Sequence, residues 1–350
     1  MNEKDILGMT LPELRSFVQS IGESAYRGNQ LYTHLLRGDS LDSMQTLPAA
    51  MREKLRAHAL MTQPQIVRRL VSEKDGTVKY LMRLHDGEHI ESVLMRYKHG
   101  NSLCISTQVG CRMGCAFCAS TLAGRVRDLY ASEMLGQVIA SQRDSGERVS
   151  SVVMMGIGEP LDNYEQSVRF LRLISDEKGL NLSPRHISLS TSGIVPAILR
   201  LADEDIPITL SISLHASDDE SRSAIMPVNR AYPIDMLLTA CATYFEKTGR
   251  RLSFEYTLLS GKNDSPMHAE RLARLLHRYF DPIKAPIHVN LIRVNEVAET
   301  GFKTGTDDSA RAFAAALGRL GVNATVRRRL GEDVNAACGQ LRRSESKREE

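Results

Sequence analysis

The stretch Leu103-Cys-Ile-Ser-Thr-Gln-Val-Gly-Cys111-Arg-Met-Gly-Cys115-Ala-Phe-Cys118 decides how the rest of the chain is read. It begins as an apolar strand and runs into a loop whose three cysteines are separated by three and then two residues. Further candidate strands follow at 151–155, 186–191, 208–214, 252–258, 287–293 and 322–328, after a first one at 102–107. Helical patterns lie between them. Ser132 is expected to cap a helix carrying Leu135, Val138 and Ile139, Pro233 opens one with Leu237, Cys241 and Phe245, and Asp308 begins another. Such alternation means parallel strands with crossover helices, hence an α/β fold built as a closed or part-closed β/α barrel or an open sheet. In either case the chemistry belongs in loops at the carboxyl ends of the strands, and the cysteine loop is one of these.

Upstream the period changes. Thr10-x-x-Glu13 is a capping box, and Leu11, Leu14, Val18 and Ile21 repeat at helical spacing before Gly22 stops the run. Leu31, Leu35 and Leu36 mark a second helix, and a third follows Pro48 with Met51, Leu55 and His58 on one side. Between 65 and 98, Val78, Tyr80, Met82 and Leu84 alternate with Lys79 and Arg83, and Asp75-Gly76 and Asp86-Gly87 are hairpin turns, so a short antiparallel meander is expected. Glu91 is out of phase with Ile90 and Leu94, which reads as a solvent-facing carboxylate. The expected organisation is a helical accessory domain at 1–62, a β extension at 63–100, a barrel core at 101–341 and a frayed tail at 342–350.

The 350 residues are 42% hydrophobic and 25% charged, which excludes disorder for most of the chain. The net charge of +3 advertises no global field for a polyanion, so contact with nucleic acid must rest on local patches. Arg68-Arg69, Arg125, Arg127, Arg327-Arg328-Arg329 and Arg342-Arg343 are candidates. With no Trp and 5% aromatics, base-stacking platforms are not extensive. No apolar run approaches the roughly 18 residues that cross a bilayer, and the first residues lack a signal-peptide core. A cytoplasmic protein without membrane contact is expected, monomeric because no heptad or repeated module appears.

Six cysteines in a chain this long are no secreted disulfide framework. Three in one loop, with no histidine or fourth cysteine close by, fall short of the four ligands of structural zinc. An iron–sulfur cubane accepts three thiolates and leaves one iron open. Zinc with a distant fourth ligand, and unrelated cysteines, are the alternatives. Cys241 shares a stripe with Leu237, Leu238 and Phe245 and reads as core.

The Cys-x3-Cys-x2-Cys loop after a first barrel strand resembles the signature of the radical S-adenosylmethionine (SAM) superfamily. Five blocks resemble the RlmN/Cfr family of RNA adenine methyltransferases: Leu103 to Cys111, Met155-Gly-Ile-Gly-Glu-Pro-Leu161, Leu189-Ser-Thr-Ser-Gly193, Ile212-Ser-Leu-His215 and Asn335-Ala-Ala-Cys-Gly-Gln-Leu341. The resemblance implies a partial (β/α)6-type radical SAM barrel. It also implies a [4Fe-4S] cluster on Cys111, Cys115 and Cys118, and SAM held by Gly158, Glu159, Ser190, Ser213, Leu214, His215 and Asn295. Read alone, each of these is a routine strand terminus, but all fall at one rim.

The same resemblance implies two further cysteines and a base. The cysteine matching Cys338 is methylated by one SAM, a radical from a second SAM takes a hydrogen from that methyl, and the methylene adds to the base. Carbon 2 of adenine lies between two ring nitrogens and is too electron-poor to attack a sulfonium methyl, which is why a radical is needed. Glu91 is implied as proton acceptor, and Cys104 as the partner whose disulfide with Cys338 frees the product. Substrates implied are 23S rRNA at carbon 2 of an adenosine and, in some tRNAs, the adenosine 3′ to the anticodon, with a flavodoxin/flavodoxin reductase system as electron donor. Glu159-Pro160-Leu161 resembles the carbon 2 branch, whereas Arg293 and Met95-Arg-Tyr-Lys98 lean towards the carbon 8 branch, and Val294-Asn295-Glu296 lacks the proline usual after the asparagine. The competing class is a non-catalytic RNA-binding protein with zinc or a structural cluster.

Overall fold

The computed structural model describes residues 4–295 and 299–334. Ten strands form one sheet: β1 (Gln65–Val71), β2 (Val78–Arg83), β3 (His89–Tyr97), β4 (Gly100–Cys104), β5 (Val149–Met154), β6 (Ile187–Thr191), β7 (Thr209–Ser213), β8 (Leu252–Leu258), β9 (His288–Arg293) and β10 (Asn323–Val326). Their spatial order is their chain order. Strands β4 to β10 are parallel, so the seven strands expected from the sequence all form, and β1 to β4 pair antiparallel. The meander is therefore continuous with the barrel sheet. Mixed α/β layers in this order make a partial barrel.

Alternation along the parallel strands sorts the two faces. Val152, Leu189, Leu210, Ile212, Phe254, Tyr256, Val289 and Leu291 are buried in the main apolar cluster, against the helices. The registers Ser188↔Thr209, Ser190↔Ser211, Ser213↔Glu255 and Glu255↔Asn290 put a run of polar side chains on the opposite, concave face. A core filled only by packing needs no such polar lining, so this face is built to surround a ligand.

The N-terminal helices α1 (Leu11–Ser20), α2 (Ala25–Arg37) and α3 (Ala49–His58) form where the spacing places them. The Thr10–Glu13 capping box is closed in both directions, and Gly38 ends α2 in the left-handed region. The crossover helices are α4 (Ala131–Ser145), α5 (Tyr164–Ser175), α6 (Val195–Leu201), α7 (Asp219–Ile225), α8 (Ile234–Thr248), α9 (Pro266–Phe280) and α10 (Asp307–Arg319). Ser132 does not cap α4. The helix starts at Ala131 with Tyr130 as its cap, two residues earlier than expected, and Glu133 turns back to accept from the Tyr130 N–H at 2.9 Å. The Ser132 hydroxyl instead donates to Asp5 and accepts from Thr62 at 2.7 Å, which ties the first residues to the barrel. Helix α10 likewise starts before Asp308, with Thr306 as its cap. Cys241 is fully buried in the core.

One expectation fails outright. Glu91 is not on a solvent face: it is buried, and so is Lys79, whose Nζ lies 3.0 Å from Glu91 Oε2. The reason is that β2 and β3 are covered on both faces, whereas β1 at the sheet edge is not. Tyr80, Ile90 and Leu94 pack in the main core, with Ser92 donating to Gln137 on α4 at 2.7 Å. On the other face Val93, Met95 and Cys104 form a second cluster with Val153, Met155 and Leu330. Pairings Lys79↔Val93, Leu81↔Glu91 and Val93↔Cys104 put Lys79, Glu91 and Cys104 on that concave face together.

Candidate functional site

The loop after β4 is held by close backbone contacts before any ligand is considered. Gly110 adopts φ +79°, and a Cβ there would lie 1.9 Å from the Gly124 carbonyl oxygen. The Cys111 N–H donates to that same carbonyl at 3.0 Å. Further on, Cys118 N–H donates to Cys115 O at 3.1 Å, and Ala116 N–H reaches Ile225 O at the end of α7 at 2.9 Å. Only glycine fits this crossing. The result is a compact loop that turns Cys111, Cys115 and Cys118 into one cavity of about 270 Å³ at the carboxyl ends of the strands.

Burial pushes the Cys111 thiol up to about 12 and the Cys115 thiol upward as well, with neighbouring thiols adding in the same direction. Thiolates here therefore need a compensating positive charge, of the kind bound iron would supply. Among the described residues, no three or more His, Cys, Asp or Glu side chains are grouped as a site for a single metal ion. Three sulfurs around one cavity are one short of the four ligands of structural zinc and match the three thiolates that a cluster with an open iron accepts.

The opposite wall carries most of the residues expected to hold the cofactor. Gly158, Glu159, Ser190, Ser213, His215 and Asn295 all line the cavity. Gly158 has φ +112°, and a Cβ would lie 2.7 Å from both Gln108 N and Gln108 Cβ, so the loop after β5 lies directly on the loop after β4. Glu159 is buried, with Oε1 accepting from Leu161 N–H at 3.0 Å and Oε2 from Ser192 N–H at 2.7 Å. Its carboxylate thus joins the ends of β5 and β6. Burial raises its pKa, and these two donors oppose the rise.

His215 sits at φ +58°, a strained position for a side chain of this size. Its Nδ1 accepts from Thr257 N–H at 3.0 Å, and burial, with Arg222 adding, lowers its pKa to about 3. The ring is neutral at physiological pH and carries its proton on Nε2. The Leu214 side chain is in the apolar core and does not line the cavity. Glu91 and Cys104 are also outside the cavity lining, but Cys104 packs in the concave cluster with Met155, which does line it. Cys338, Asn335 and the tail at 342–350 lie outside the described residues.

Sequence reasoning missed Glu255 and placed Arg327 only among the candidate phosphate contacts, whereas both face the same cavity. Glu255 Oε1 accepts from Asn290 Nδ2 at 2.9 Å, while Oε2 has no hydrogen-bond partner among the described residues. Burial raises its pKa. A charged residue inside the otherwise apolar Leu252-Ser-Phe-Glu-Tyr-Thr-Leu258 was the available signal. Several expected phosphate contacts prove to be paired within the protein. Arg69 meets Asp144 at 2.9 Å, Arg125 meets Asp128 at 2.7 Å, and Arg127 meets Glu133 and Asp86 at 2.8 and 2.6 Å. Among the described residues no helix is long and apolar enough to cross a membrane.

Residues 105–273 match the radical SAM superfamily, and residues 4–61 match the ribosomal RNA large subunit methyltransferase N-terminal domain. The chain is 48% identical over 344 residues to the probable dual-specificity RNA methyltransferase RlmN of Alkaliphilus oremlandii, covering 98% of each. It is 49% identical over 348 residues to the protein so described in Clostridium botulinum, covering 99% of each. A crystal structure of a radical SAM methyltransferase from Sphaerobacter thermophilus superposes with a TM-score of 0.90 at 41% identity, covering 96% of this chain and 98% of that one.

Proposed function

The chain belongs to the RlmN family of radical SAM RNA methyltransferases, and within it we propose that this protein methylates carbon 2 of an adenosine in 23S rRNA and of the adenosine 3′ to the anticodon in some tRNAs. The observation that carries the reading is the shared concave face. Three cysteines and the polar strand ends surround one cavity, and Glu91 and Cys104 stand on the same face of the sheet.

Cys111, Cys115 and Cys118 would hold the [4Fe-4S] cluster, which with SAM supplies a carbon-centred radical by one-electron cleavage of a carbon–sulfur bond. Glu159 sets the strand-end backbone on which SAM would rest. Gly158 lets that backbone approach closely. Ser190, Ser213, His215 and Asn295 present hydroxyl, neutral imidazole and amide groups to a polar ligand.

The remaining work falls to this chain's own side chains. Cys338 carries the methyl group and, as its methylene, bonds to carbon 2. Glu91 takes the proton lost from that carbon, and Lys79 holds its carboxylate in a buried ion pair. The Cys104 sulfur, having lost its proton, then joins the Cys338 sulfur as the product's carbon–sulfur bond breaks; the freed carbon takes up a proton to become the methyl group, and the one unpaired electron would pass back to the oxidised cluster. Residues 1–62 are assigned to RNA contact, and a flavodoxin-type donor to reduction.

Two features that leaned towards carbon 8 have structural employment. Arg293 is ion-paired with Asp307, and Arg96 with Glu147 at 3.2 Å. The test is nuclease digestion and mass spectrometry of rRNA and tRNA after reaction with SAM and a reductant. 2-Methyladenosine is expected, and 8-methyladenosine would overturn the carbon 2 assignment.

A further inference from the structure

Arg222, on α7, is fully buried, the largest such side chain in the described protein. Nothing in the reading above uses it. Its Nε donates to Leu214 O at 3.1 Å, Nη1 to Asn229 Oδ1 at 2.9 Å, and Nη2 to Ser192 O at 2.7 Å and Ser213 O at 3.1 Å. Every one of these acceptors is neutral. Asp219, the carboxylate that acts on it through space, is hydrogen-bonded elsewhere, accepting from Asn229 Nδ2 at 2.9 Å and Ile234 N–H at 2.8 Å. A buried cation without a bonded carboxylate is costly, and folds retain one when a negative charge arrives from outside the chain.

The place of that negative charge follows from the contacts of the cysteine loop. Ala116, next to Cys115, donates its N–H to Ile225 O at 2.9 Å, and Ile225 is one turn beyond Arg222 on the same helix. Gly114 faces Pro227, just past the end of α7. Ser192 and Ser213, whose carbonyls Arg222 holds, both line the cavity that the three cysteines face. Burial lowers the Arg222 pKa to about 10, which leaves it charged at neutral pH. The guanidinium also grips the carbonyls ending β6 and β7, so it lies behind the cavity wall.

We propose that Arg222 is the built-in counter-charge of the iron–sulfur cluster and holds its reduction potential up. Three thiolates around iron leave the cluster net negative. Its one-electron reduction by an external donor adds one more negative charge and changes no bond. A fixed cation in a low-dielectric wall stabilises that reduced form more than the oxidised one. Arg222 does not touch substrate and is a positioning and tuning residue. The inference rests on the cluster assignment made above.

The test is an EPR-monitored redox titration of the anaerobically reconstituted full-length protein, compared with Arg222→Met and Arg222→Lys, with iron and sulfide counted in each. Arg222→Met is expected to load the cluster at a more negative midpoint potential. Arg222→Lys keeps the charge while losing the fork, and its potential should stay at the wild-type value. A cluster-loaded Arg222→Met with unchanged potential overturns the proposal. If Arg222→Met does not load, Arg222→Lys decides: an unchanged potential supports the counter-charge, and a negative shift overturns it. Wild-type protein that takes up no iron would instead sink the cluster assignment itself.

Discussion

Removing the cation of the buried Lys79–Glu91 pair should be among the most destabilising single changes in the molecule. At 3.0 Å and an effective dielectric constant of about 20, the attraction between unit charges is about 5.5 kcal/mol before desolvation is subtracted. Both side chains are almost wholly inaccessible, so solvent screening is slight. Lys79→Met leaves the carboxylate buried beside an apolar chain, for which a loss of about 3–5 kcal/mol is expected. Lys79→Met combined with Glu91→Gln removes both charges and should recover at least about 2 kcal/mol of that loss. Urea melts of the reconstituted protein, followed by circular dichroism for wild type, both single variants and the double variant, give the coupling directly. A Lys79→Met protein within about 1 kcal/mol of wild type, or a double variant no better than the single, refutes the claim that this pair is a buried electrostatic unit.

Other outcomes follow from features already described. Gly158→Ala forces a Cβ against Gln108 backbone from a positive-φ position, and should weaken SAM binding in equilibrium dialysis while lowering the melting temperature. Cys118→Ala should cut bound iron sharply in anaerobic metal analysis; wild-type iron content would remove it from the ligand set. Cys338→Ala should abolish methyl transfer, whereas Cys104→Ala should accumulate protein covalently joined to RNA on denaturing gels, and normal turnover by both would falsify the two-cysteine scheme. His277 is raised above its usual 6.5 by Asp281 and then by Leu320 O. Its contribution to stability is complete below about pH 6.5 and is lost as pH rises through the raised folded-state value. Melting temperatures of wild type and His277→Gln should therefore converge at high pH, and a gap that widens there would contradict the assignment.

What was legible in the sequence was whatever depends on near neighbours. The Thr10–Glu13 cap, the Asp75-Gly76 and Asp86-Gly87 turns and the seven parallel strands are each specified within a few residues. So is the Cys111–Cys118 spacing, although the contact of Ala116 with Ile225 that helps to hold the loop comes from far along the chain. The burial of Lys79 and Glu91 was not legible, because the second cover over their face includes Leu330, far along the chain. Ser188, Ser190, Ser211 and Ser253 alternate as solvent-facing residues would, and a polar cavity leaves the same imprint as bulk water. Glu255 was hidden for that reason too. Helices α5, α6, α7 and α9 were not placed in advance, and Arg222 went unseen with α7, since a lone arginine in Asp219-Glu-Ser-Arg-Ser looks exposed. The expected cap at Ser132 failed because a partner from the first residues of the chain, Asp5, competes for its hydroxyl.

The hairpin joining β3 to β4 ties the proposed base and the resolving cysteine to a common ruler. Inserting a single residue between Glu91 and Met95 would rotate the carboxylate through half a turn, into the position that Ile90 and Ser92 now hold under α4. Loops at the barrel mouth can lengthen without such a reversal. Descendants of this scaffold are thus free to diversify their RNA-facing rim, while these two strands tolerate exchange of residues but not change of length.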